Sequence, residues 1–122
     1  MSETAQQGIK RLNFENLMWI LFIVACILNI CADKIQTEFL ETNEINKEKN
    51  AREIYIFVLV LTILIYCYFA NRNYNFLRDA KENNQDTSLL SLRFIGSMLL
   101  IIGISFVLYY QIKSPEPTGS PI

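Results

Sequence analysis

The side chains best able to do chemistry in this sequence are few, and they lie inside its most apolar stretches. Asn29, Thr62, Ser97 and Ser105 are polar residues embedded in otherwise hydrophobic runs, and Cys26, Cys31 and Cys67 share those runs. The chain has no histidine, which removes the commonest metal ligand and the usual general base near neutral pH. Cys26 and Cys31 are offset by about 140° around a helix, which does not suit joint metal ligation, so all three cysteines are expected to be free thiols used for packing. No carboxylate pair, Ser/His or Cys/His combination or His/Glu cluster is available within the runs, so neither catalysis nor a bound cofactor or metal is expected.

What remains to these residues is hydrogen bonding between helices. Asn29 sits roughly two turns from the middle of its run, where an unsatisfied amide is costly. Its expected partner is Ser105, a hydroxyl of the second run or another subunit, at a net value of about 0.6 kcal/mol. Snorkelling to the headgroups, or contact with a ligand or ion, are the alternatives for Asn29. Thr62 is expected to bond the carbonyl one turn back on its own helix, and Ser97 and Ser105 to add hydrogen bonds on adjacent faces of the third run.

The elements that carry these residues follow from the distribution of charge. Residues 16–32, 54–71 and 94–112 hold no Asp, Glu, Lys or Arg. At about 1.5 Å per residue each forms a helix close to the roughly 30 Å of a hydrocarbon core. A soluble bundle would need a polar stripe on each helix, and Ile54 to Ala70 offers only Thr62, Cys67 and three tyrosines scattered around its circumference. The expected fold is therefore an all-α integral membrane protein with three antiparallel transmembrane helices, its first partner being the lipid bilayer. A net charge of −1, with no basic patch, argues against binding nucleic acid.

Two features of the first run invite other readings. Lys10 and Arg11 precede it as in a secretory signal, but it exceeds the usual apolar length of such signals, and Ile30 occupies the −3 position of a cut after Ala32. Ile23-Val24-Ala25-Cys26 is similar to a lipoprotein lipobox, yet the residues after it stay membrane-like. An uncleaved, unlipidated span is expected.

Along the chain, residues 1–12 are expected to be a mobile tail and residues 13–113 a single three-helix transmembrane domain, with helix from about Asn13. The connection from Asp33 to Glu53 has six acidic and four basic residues and no Pro or Gly, so helix continues on both sides of a break near Thr42 and Asn43. Asn43 is expected to cap the second helix. Past the second span, Phe69, Phe76, Leu77 and Ala80 recur at helical spacing, an amphipathic extension suited to the membrane surface, to a partner or to water. A turn follows at Glu82 to Asp86, then a third helix capped by Asp86 or Thr87. Residues 114–122 hold all three prolines and are expected to be disordered. Tyr55, Tyr66, Tyr68, Phe69, Tyr74, Tyr109 and Tyr110 lie at span ends and read as an aromatic belt.

Small residues give the clearest signal for helix packing. Ala25 and Ala32 on the first span, and Gly96 and Gly103 on the third, are spaced seven apart, so each pair shares one helical face that a neighbouring backbone can approach, chiefly within the chain. Six basic residues flank the spans on the amino-terminal side and five on the other, which favours the N-terminus inside and the C-terminus outside. Isoleucine- and asparagine-rich usage points to a bacterial cell membrane.

The function expected on these grounds is a non-enzymatic accessory or regulatory subunit, acting through helix–helix contacts with a membrane-protein partner or another copy. The alternative is a self-assembling pore or small transporter. Holin-like membrane-lesion proteins resemble this chain in plan, three spans in a short sequence. Their basic tail is not matched here, where Lys113 alone precedes Ser, Pro and Thr.

Overall fold

The structure is a computed structural model and describes residues 3–115. Three helices make up the described chain: α1 (Ala5–Thr42), α2 (Ile45–Glu82) and α3 (Ser88–Lys113). Each contains a stretch long and apolar enough to cross a membrane. The protein is all-α, as its charge distribution predicts.

Local chemistry sets the helix ends. α1 begins well before the expected Asn13, because Thr4 and Gln7 form a capping box: the Thr4 hydroxyl accepts from the Gln7 N–H at 3.2 Å and the Gln7 side chain accepts from the Thr4 N–H at 3.0 Å. Much of the stretch expected as a mobile tail is thus the first turns of α1. The break falls where expected, but Asn43 serves the other helix. It adopts the left-handed conformation (φ 59°) and its N–H closes α1 on the Phe39 carbonyl, while Glu44 occupies the N-cap of α2. Asn84, also left-handed (φ 55°), turns the chain toward α3, where the Asp86 carboxylate accepts from the Ser88 N–H at 3.0 Å. The proline-bearing tail lies, from residue 116 on, outside the described residues.

α2 is the centre of the molecule. It packs on both neighbours, whereas α1 and α3 do not pack on each other. Its buried set includes Ala51, Tyr55, Val58, Thr62 and Ile65, the alternating four-and-three spacing of knobs-into-holes packing, with Leu59 buried beside them, and continues through Ala70, Asn73, Leu77 and Ala80. α1 buries Glu15, Ala25, Ala32 and Gln36, and α3 buries Ser97, Ile104 and Gln111 at strict sevenfold spacing. Ala32, Ala51 and Tyr55 form a core where the small alanines let two backbones close on a tyrosine ring.

Two expectations change with this architecture. Tyr55 is fully buried between α1 and α2, its hydroxyl donating to the Asp33 carboxylate, so it is a core residue and not part of an aromatic belt. The amphipathic extension of α2 is covered by its own chain, with Leu77 and Ala80 buried. The early start of α1 and the start of α3 at Ser88 bring helix on to that stretch.

Candidate functional site

Among the described residues, charged groups of all three helices converge at the end formed by the start of α1, the exit of α2 and the start of α3. Arg11 and Glu15 are one turn apart on α1, and the Arg11 guanidinium donates to the Glu15 carboxylate at 2.9 Å. Arg72 of α2 donates to the other oxygen of the same carboxylate at 2.9 Å, and the Tyr68 hydroxyl donates to the oxygen shared with Arg11 at 3.2 Å. The remaining face of Arg72 is spent on its own helix: two of its nitrogens donate to the side-chain Oδ1 of Asn73 at 3.1 and 2.9 Å, and its guanidinium lies 4.8 Å from the Phe69 ring centre.

The network continues into α3. The Asn73 amide donates to the Ser97 hydroxyl at 2.5 Å, and that hydroxyl donates to the Arg93 carbonyl at 3.1 Å. A line of polar contacts therefore runs Arg11–Glu15–Arg72–Asn73–Ser97, joining two helices that do not otherwise meet. Phe76 sits beneath the cluster, with Arg11 at 5.1 Å and Arg93 at 5.7 Å from its ring centre. Arg11 also pairs with Glu3 at 2.9 Å. Among the described residues Arg93 has no carboxylate at ion-pair distance.

The charged groups of the cluster lie just outside the charge-free segments, and their electrostatics follow from their neighbours. Burial pushes the Glu15 carboxyl up, but the Arg11 hydrogen bond and the Arg72 charge outweigh it, so the carboxyl sits below its ordinary range. A carboxylate so held is a weak base and stays ionised, which suits a tie between helices better than proton transfer. Partial desolvation lowers Arg93, which is otherwise exposed, and the positive charge of Arg72 adds to the effect. Beside the cluster lies an open cleft of about 420 Å³ with Glu3, Gln7, Arg11, Arg72 and Asp79 in its wall.

The residues singled out from sequence are dispersed. Ala25 (2% exposed) and Ala32 (0%) are buried against α2. Gly96 and Gly103 are exposed, and a Cβ built on either meets nothing within 4 Å. The intrachain packing expected of the two glycines is thus absent, because α3 turns its Ser97, Ile104 and Gln111 face toward α2 instead. Thr62 is buried and donates to the Val58 carbonyl at 2.8 Å, as its position predicts. Ser97 joins the cluster. Ser105 is exposed and donates to the Ile101 carbonyl at 2.7 Å. The expected Asn29–Ser105 bond cannot form, since α2 separates their helices, and half-buried Asn29 has no hydrogen-bond partner among the described residues. Asn29, Thr62, Ser97 and Ser105 share no common wall. Cys26, Cys31 and Cys67 are free and exposed.

Sequence reasoning missed Glu15, Arg72 and Asn73. A usable signal was present: Glu15, Arg72 and Arg93 are the first charged residues outside their spans on one side of the membrane, so they stand at one depth. At the opposite end, Arg52 donates to the Gln111 carbonyl at 2.9 Å and pairs with Glu48 at 3.5 Å. The Gln111 side chain is fully buried there, and neither amide atom is hydrogen-bonded among the described residues.

The chain matches no protein-family model, no curated protein and no solved structure.

Proposed function

We propose that this chain is a small non-enzymatic integral membrane protein, an accessory or regulatory subunit that joins a larger membrane assembly through the outward face of α3. The observation that carries this reading is the open space around Gly96 and Gly103. Glycine inside a helix costs about 1 kcal/mol relative to alanine, and no close contact among the described residues offsets that cost at either position. A second backbone packed closely on the face would offset it, through the van der Waals contact that drives helix association in lipid.

Two further features support the reading. α1 and α2 each run for 38 residues, about 57 Å, so both project well beyond a bilayer core and offer a charged helical hairpin to a partner. The arginine-bearing end takes the inner side under the positive-inside rule, which leaves the N-terminus inside and the C-terminus outside.

The test is the mass of the particle released from native membranes by mild detergent. The wild-type chain is expected to emerge with a stoichiometric foreign partner. The Gly96→Leu/Gly103→Leu double variant, whose added side chains point into open space, is expected to emerge without it. A particle unchanged by both substitutions contradicts the assignment of this face, and a homogeneous homo-oligomer replaces the accessory reading with a self-assembling one.

A further inference from the structure

Because α1 and α3 do not touch, α2 is left uncovered along one side, and a groove of about 230 Å³ opens there between Trp19 of α1 and Leu100 of α3. Its floor is Tyr66, Phe69, Arg72 and Asn73 of α2, and Ser97 completes the α3 wall. The groove is graded with depth. Arg72, Asn73 and Ser97 stand at its polar end, where the charge-free segments begin. Trp19, Tyr66, Phe69 and Leu100 lie further into those segments, with the Trp19 and Phe69 ring centres 5.2 Å apart.

The charge at the polar end is unbalanced. Arg72 is the charged residue of the groove wall and is paired with Glu15, whereas Arg93, one turn above Ser97 and just outside the wall with its guanidinium 5.7 Å from the Phe76 ring centre, has no acidic partner among the described residues. An anion at the headgroup level, attached to hydrocarbon that continues below it, satisfies both halves of the groove. We propose that the groove holds one anionic phospholipid, its phosphate on Arg93 beside Arg72 and one acyl chain against Trp19, Tyr66, Phe69 and Leu100. The site selects lipids by headgroup charge and goes beyond the subunit role argued above. A soluble phosphate fills only the polar end and leaves the aromatic part to bulk lipid.

Trp19 is the sole tryptophan, so its fluorescence reads the groove directly. The protein is reconstituted in phosphatidylcholine vesicles carrying a small fraction of acyl-brominated phosphatidylglycerol, or the same fraction of acyl-brominated phosphatidylcholine. The brominated anionic lipid is expected to quench as if enriched about fivefold near Trp19, on the scale of one basic residue at a membrane surface. Arg93→Gln is expected to bring the enrichment near one and Arg93→Lys to retain most of it. Moving the reporter to the exposed face of α3, as W19F/F106W, is expected to show no enrichment. Equal quenching by both lipids, enrichment that survives Arg93→Gln, or the same enrichment at position 106 overturns the proposal. Relief of the quenching by millimolar inorganic phosphate overturns the lipid as occupant and leaves a headgroup-anion site.

Discussion

Glu15 carries more of this structure than its place in the sequence suggests. Its carboxylate takes charged hydrogen bonds from helices α1 and α2 while almost fully buried, with a side-chain exposure of 5%. Removing one partner of such a pair leaves guanidinium charge uncompensated, so Glu15→Gln is expected to cost about 3 kcal/mol of helix association, measured by denaturing-detergent titration in mixed micelles. Gln111 predicts the reverse. Its buried amide has no hydrogen-bond partner among the described residues, so Gln111→Met is expected to stabilise the α2–α3 contact by about 1–2 kcal/mol in the same titration. Thr62 was legible from sequence because its hydrogen bond closes one turn along its own helix. The Glu15–Arg72 tie was not, because it joins residues far apart in the chain, and each alone reads as a flanking interfacial charge.

At the scale of elements, apolar length gave the helices but not their ends. The start of α1 depends on two reciprocal hydrogen bonds between Thr4 and Gln7, a short local signal outside any apolar periodicity. Thr4→Ala is expected to cost about 1 kcal/mol at that end alone, read as faster amide exchange over the first turn of α1 with the spans unchanged. Asn43 shows the same limit. Its composition marks a break, yet whether an asparagine caps the helix after it or ends the one before it depends on a left-handed φ that sequence does not display. The amphipathic stretch after the second span was legible as amphipathic; what covers it depended on where α1 begins.

For the whole molecule, the charge-free runs made three apolar helices readable, and the central place of α2 was hidden. Similar hydropathy in all three spans says nothing of which is between the others. The heptad-like spacing on α2 becomes informative only once its two faces are known to meet different neighbours. The polar line joining the helices also sets a pH dependence. The Glu15 carboxyl is held below its ordinary range in the folded protein, so its contribution is complete above the unfolded carboxyl pKa of about 4.3 and is lost as pH falls through the lower folded value. Glu38 and Asp86 shift in the same direction but at solvent-exposed positions, where screening keeps their effect small. Helix association is expected to be flat from pH 8 to 5 and to fall in acid, with a shallower fall in Glu15→Gln.

The central claim, that α3 meets a partner through its glycine face, is tested most directly by photo-cross-linking in the native membrane from a reactive side chain placed at Gly103, with Ile23 on α1 as the comparison position. A discrete adduct to one foreign protein from position 103, absent from position 23, is the predicted result. Lipid adducts alone at both positions would contradict it.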